Sequence, residues 1–80
     1  MTAKQAFHYK QKASIELLTR AGVIDMIEAN IIKGCVIAKI SNDFNINTVQ
    51  MAGENLGYSV TRVPSIEKNY YRLRFDWSII

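Results

Sequence analysis

From Ala3 to Lys33, apolar residues return every three or four positions, with Phe7, Ile15, Leu18, Ile24, Ile27 and Ile31 in the series. That spacing predicts a helix with one face turned toward a core. Gly22, in RAGVID, interrupts the series, and a glycine inside a helix costs up to about 1 kcal/mol. A kink, or two helices meeting there, is therefore expected, and Gly34 is expected to cap the C-terminal end after Lys33. The pattern then changes. CVIAKI is apolar, partly β-branched and too short for another helix, so it reads as a buried strand. SNDFNIN is rich in residues that bond their own backbone, and reads as a loop. Asn47 is the expected N-cap of a short helix, with Gln50 closing a capping box. That helix would turn Val49, Ala52 and Leu56 inward despite Gly53 in its interior, and Gly57 would stop it.

A period of two takes over near the C-terminus. YSVTRV and NYYRLRFDW read as two strands of an antiparallel hairpin, joined by a connection containing PSIEK. In the second strand Tyr71, Leu73, Phe75 and Trp77 fall on one face, and Tyr70, Arg72, Arg74 and Asp76 on the other. Each buried aromatic removes about 150–250 Å² from water, so the first set is expected to form the main wall of the core. Tyr58 and Val60 would share that side, leaving Ser59 and Thr61 outside. The predicted class is α+β, in the order α-β-α-β-β. An N-terminal helix or kinked helix pair and one short helix pack on one face of a three-stranded, mainly antiparallel sheet.

The length of 80 residues leaves room for one core and thus one domain. A hydrophobic content of 49% is too high for a disordered chain. A chain this small buries only about 60–65% of its unfolded surface, which makes its margin of stability thin. The usual staples are missing from the sequence. Cys35 is the only cysteine and His8 the only histidine, so neither an intrachain disulfide nor a zinc site built from those residues alone is expected. Association with a second copy or another protein would supply what the small core lacks. The N-terminus shows no apolar run after its lysines and no stretch is long enough to span a membrane, so a cytoplasmic location without membrane contact is expected.

Charge is unevenly spread around a net +3. Residues 1–12 contain Lys4, Lys10 and Lys12 with no acid, whereas Glu16 to Glu28 carries three acids against Arg20. The basic lead could meet nucleic acid or an acidic protein, or be a mobile, solubilising terminus. Nothing in the sequence assembles into catalytic machinery. His8 lies far from Cys35, and Cys35 opens an apolar strand where it would pack as a small hydrophobe. Asp25 and Glu28 share a helix face, as pairs on solvated helices commonly do. Asp43, in its asparagine-rich loop, lacks the repeated acids and terminal glutamate of a calcium loop. AGENLG falls within and after a helix, where a phosphate-binding glycine motif should follow a strand and open one. The expectation is a non-enzyme with no cofactor, no metal and no small-molecule substrate.

Two binding roles remain. Tyr70, Arg72 and Arg74, exposed on one strand, with Arg62 and Lys68 on the same hairpin, could contact phosphates or stack on bases. A helical first half followed by a basic hairpin is partly like a winged-helix domain. Yet TVQMAGENL has no Lys or Arg for a major groove, and the strand's rings face the core rather than a base. The same tyrosine and arginines are the residue types that anchor protein interfaces. CVIAKI or the last strand, if at a sheet edge, could also pair with a partner strand. Ile79 and Ile80 would pack into the core or contact another chain. A plain solvated sheet face explains Arg72 and Arg74 as well.

IIKGCVIAKI, then NLGYSV, then the strand ending RFDW, resemble small accessory proteins of tailed bacteriophages over roughly Ile24 to Trp77. AKQAFHYKQK and the two strand arginines depart from that pattern. Such proteins are mostly uncharacterised, and a good share of those with known roles bind and inhibit host proteins, so the resemblance implies a small non-enzymatic effector acting by stoichiometric binding. Protein–protein binding is accordingly the leading expectation, and regulatory nucleic-acid binding the alternative.

Overall fold

The computed structural model describes residues 1–78. It is an α+β fold with the element order α1 (Ala3–Arg20), α2 (Val23–Ala29), β1 (Cys35–Ser41), α3 (Ile46–Asn55), β2 (Ser59–Val63) and β3 (Tyr70–Asp76). The sheet runs β1-β3-β2 and is antiparallel throughout. The expectations for Ile79 and Ile80 lie outside the described residues.

The helix break falls at Gly22, whose φ of 81° turns the chain between α1 and α2. The second helix is shorter than the periodicity implies, ending at Ala29 rather than Lys33. Asn30 explains this: its side-chain amide donates to the Met26 carbonyl at 2.8 Å, and its backbone leaves helical geometry at φ −122°. Gly34 therefore does not cap the helix; it closes the following turn and opens β1. A second correction concerns α3. Asn45, not Asn47, is the N-cap, its Oδ1 accepting from the backbone N–H of Asn47 and Thr48. Both residues carry the right side chain, and the one whose backbone stays extended takes the role.

The core gathers Leu18, Val23, Ile27, Ala38, Ile40, Val49, Ala52, Leu73 and Phe75, with Tyr58, Val60 and Trp77 packed at its margin. The expected inward set of α3 is there, Val49 and Ala52 buried and Leu56 half-buried. Gly53 is buried too. A Cβ on it would stand 2.7 Å from Cε1 of Phe75 and 2.8 Å from Cγ2 of Val60, so α3 can lie this close to the sheet only with glycine there.

Three apolar residues of the helical series face water instead. Phe7 is 54% exposed, Ile15 48% and Ile31 59%. Residues 1–10 are exposed throughout, because α1 meets α2 and α3 along its C-terminal half only. CVIAKI also differs from its reading as a buried strand. It lies at a sheet edge with Ala38 and Ile40 buried but Ile37 and Lys39 exposed. Helices cover only one side of the sheet, so alternate residues of β1 must face solvent.

The outer sheet face as a candidate interaction site

β3 pairs on both sides, which orders three strands of side chains into rows on the face away from the helices. Ile37, Arg74 and Thr61 make one row, and Lys39, Arg72 and Val63 the next. Ser41 and Tyr70 lie beyond them.

Lys39 directly opposite Arg72 would by itself be repulsive. Glu67, from the loop joining β2 to β3, relieves this. Its carboxylate is 2.7 Å from Lys39 Nζ and 3.7 Å from Arg72 Nη2. The Lys39 ammonium also stands 4.1 Å from the centroid of the Tyr70 ring, a cation–π distance. Farther along, Arg74 Nη2 lies 3.4 Å from Asp76 Oδ2. Asp76 in turn accepts from the Ser78 hydroxyl at 2.7 Å and from its backbone N–H at 2.9 Å.

Both carboxyls are held below their ordinary range. For Glu67 the main cause is the hydrogen bond from Lys39, with the Lys39 and Arg72 charges adding to it. For Asp76 the Ser78 hydrogen bonds come first and the Arg74 charge contributes less. A carboxyl that gives up its proton more readily when folded stabilises the fold fully above its unfolded value. That contribution disappears as pH falls through the lowered folded value. Substituting Glu67→Gln should therefore flatten part of the acid limb of a stability-versus-pH curve, measured by urea unfolding at successive pH values. Identical acid limbs for wild type and variant would contradict the pairing. The effect is expected to be small, because these pairs are open to water.

Of the five residues that the sequence singles out, the structure brings three together. Tyr70, Arg72 and Arg74 share the outer face, and Lys68 is exposed in the loop at its end. Arg62 is on the other side. It stands opposite Leu73 in the register, and its guanidinium donates to Gln50 Oε1 and to Asn47 Oδ1. There it fastens the start of α3 to β2. Sequence reading missed Ile37, Lys39 and Glu67 as members of the site. The signal was present in CVIAKI, since Lys39 breaks the apolar run and lies two residues from Ile37.

His8 is exposed on α1, and Cys35 is half-buried at the start of β1. Among the described residues, no three His, Cys, Asp or Glu side chains are grouped to hold a metal ion. No helix among those residues is long and apolar enough to cross a membrane. The sequence matches no protein-family model, and no curated protein or solved structure matches it.

Proposed function

We propose that this chain is a non-enzymatic binding protein that acts by stoichiometric contact with another protein through the outer face of its sheet. One observation carries the reading: a helix-free face combines Ile37, 52% exposed, and Tyr70, 39% exposed, with cations that already have carboxylate neighbours. An interface favours such anchors, an aromatic and arginines around an apolar residue, and disfavours unpaired charge at its centre. Phosphate would gain less here than the count of cations suggests, since Glu67 and Asp76 offset much of their field. β1 adds a second means of contact. Among the described residues it has a strand neighbour on one side only, so its outer backbone groups can receive a partner strand. The similarity to phage accessory proteins points to a host protein as the partner, and to inhibition of a host defence or nucleic-acid machine as the consequence.

The alternative is regulatory nucleic-acid binding, favoured by Lys4, Lys10 and Lys12 on the exposed half of α1 and by Lys68 on the hairpin loop. Salt separates the two, because each phosphate contact releases counterions and steepens the salt dependence. A partner recovered from host lysate and identified by mass spectrometry should bind the purified chain about equally at low and moderate salt. Tyr70→Ala combined with Arg72→Ala should weaken that binding at least about tenfold, the loss expected of hot-spot residues, and leave the unfolding midpoint nearly unchanged. Undiminished binding by the double variant would refute the assignment of this face. Tight, steeply salt-dependent binding to generic DNA or RNA would favour the alternative.

A further inference from the structure

The open edge of β1 carries a second conclusion. At one end of the β1–β3 ladder the Trp77 N–H donates to the Gly34 carbonyl, and at the other the Asn42 N–H donates to the Asn69 carbonyl. Both pairs continue the register in which Val36 faces Phe75, Ala38 faces Leu73 and Ile40 faces Tyr71. Bonding in an antiparallel pair alternates along the strand, so these residues of β1 turn their N–H and C=O toward β3. Cys35, Ile37, Lys39 and Ser41 turn theirs outward. Ser41 is already committed, its carbonyl accepting from the Phe44 N–H at 3.1 Å, and before Cys35 the Lys33 N–H donates to the Asn30 carbonyl at 2.9 Å. Among the described residues, nothing bonds the outward groups of Cys35, Ile37 and Lys39.

These three residues are spaced symmetrically about Ile37. A second β1 laid antiparallel, with Ile37 against Ile37, therefore pairs every one of them, Cys35 of each copy meeting Lys39 of the other. Neighbouring registers do worse. Centring on Ala38 sets Cys35 against the committed Ser41, and centring on Val36 sets Lys39 against Lys33. Centring on Lys39 puts two ammonium groups side by side.

The side chains agree with this register. Ile37, 52% exposed at the strand edge, is covered by its own copy. Across the join, the row of Arg72 and Lys39 runs into Cys35 and Asp76 of the second copy, so the cationic end of one sheet meets the acidic end of the other. Lys39 is the one feature of β1 that resists pairing, and Glu67 already meets its charge at 2.7 Å. β2, at the opposite edge, is built differently: it is shorter and is followed at once by Pro64, two features that discourage pairing.

We propose that a second copy of this chain pairs with the first through β1, in the register centred on Ile37, to form one continuous antiparallel sheet ordered β2-β3-β1-β1-β3-β2. The arrangement is closed and twofold, as a self-complementary edge requires. It identifies the strand that the open edge of β1 receives, and so rests on that part of the reading above. It does not rest on the assignment of the outer face, which stays open in both copies.

Light scattering coupled to size exclusion, run on the full chain over a range of micromolar concentrations, should show a concentration-dependent dimer. Ile37→Pro removes the central outward N–H without touching a bond to β3, and edge strands tolerate proline in that position. It should raise the dimer dissociation constant at least about tenfold, through lost backbone bonds and a lost apolar contact. Ile37→Lys keeps the backbone and sets two ammonium groups opposite each other, so it should weaken the dimer without depending on how the strand accepts proline. A crosslink tests the register. In a Cys35→Ser background, Ile37→Cys should give an interchain disulfide under mild oxidation, since a bonded pair holds its Cα atoms about 5.5 Å apart, within disulfide reach. Lys39→Cys in the same background should not, because its two copies lie about 13 Å apart along the strands. A wild type that stays monomeric at every concentration would overturn the proposal. So would a dimer indifferent to both Ile37 substitutions, or one that crosslinks through Lys39→Cys instead. Tyr70→Ala with Arg72→Ala should leave the dimer intact, so failure of the outer face and failure of β1 pairing are told apart. A monomer whose binding to an outside protein is lost on Ile37→Pro would give the edge to a foreign strand and overturn the second copy.

Discussion

Replacing Phe75 by alanine is expected to destabilise the fold by about 3–5 kcal/mol, the range for emptying a buried aromatic site. At roughly 0.05–0.15 kcal/mol per residue, a domain of this length has only about 4–12 kcal/mol in total. The variant should therefore lose a large share of its stability, and at the lower end of that range it would be partly or wholly unfolded at room temperature. Phe75 is placed for such an effect. It lies on the central strand with no exposure, faces Val36 and Val60 across the two strand pairs, and meets the Tyr58 ring edge-on at 6.2 Å between centroids. The site cannot collapse cheaply, because strands hold it on both sides and α3 lies over it. Urea unfolding followed by circular dichroism gives the measurement, and a loss below about 1 kcal/mol would contradict the packing argument.

Its contact with Gly53 supplies a finer test. Gly53→Ala alone gains helix propensity of up to about 1 kcal/mol, yet forces a Cβ against the Phe75 ring, an overpacking that typically costs about 1–3 kcal/mol. The net change should be a modest destabilisation. In a Phe75→Leu background the ring atom at 2.7 Å is gone, so the same substitution should cost less. A double-mutant cycle with no coupling between the two positions would mean that α3 shifts freely over the sheet.

The same two residues show what the sequence made legible. Phe75 announced itself through strict alternation in NYYRLRFDW, and alternation depends only on which side of a sheet is wet. The role of Gly53 was invisible, because it depends on the distance between α3 and the strands that carry Val60 and Phe75. CVIAKI misled for a related reason: a continuous apolar run suits a strand covered on both faces, and only the position of β1 at an edge with one bare face tells otherwise. Phe7 and Ile31 have helical spacing, and spacing cannot say where the body of the protein stops. For the candidate site, Tyr70, Arg72 and Arg74 followed from alternation alone. Arg62 differed because its strand alternates too, and its neighbour Thr61 takes the outward place. Glu67 could not be read at all, since its role arises from a loop folding back over a cross-strand pair of cations.

Gly34→Ala is expected to cost about 2–5 kcal/mol, from two sources that add. The first is backbone strain: Gly34 has φ +79°, a left-handed conformation that costs an L-residue about 1–2 kcal/mol. The second is crowding, typically about 1–3 kcal/mol, because a new Cβ would stand 2.9 Å from the Ser78 Cβ and 3.2 Å from its Cα. Ser78 cannot retreat freely, since the Asp76 carboxylate holds both its hydroxyl and its N–H. The turn is also tied to the end of β3 by Trp77, whose backbone N–H donates to the Gly34 carbonyl at 2.8 Å and whose indole donates to the Ile31 carbonyl at 3.1 Å. Gly57→Ala is the matched control: its φ is +96° but nothing lies within 4 Å of a Cβ there, so only the strain applies. The excess of Gly34→Ala over Gly57→Ala in urea unfolding measures the contact with Ser78. Removing the clamp by Asp76→Ala should shrink that excess, and an excess that persists undiminished would show that the Asp76 carboxylate is not what holds Ser78 against the turn.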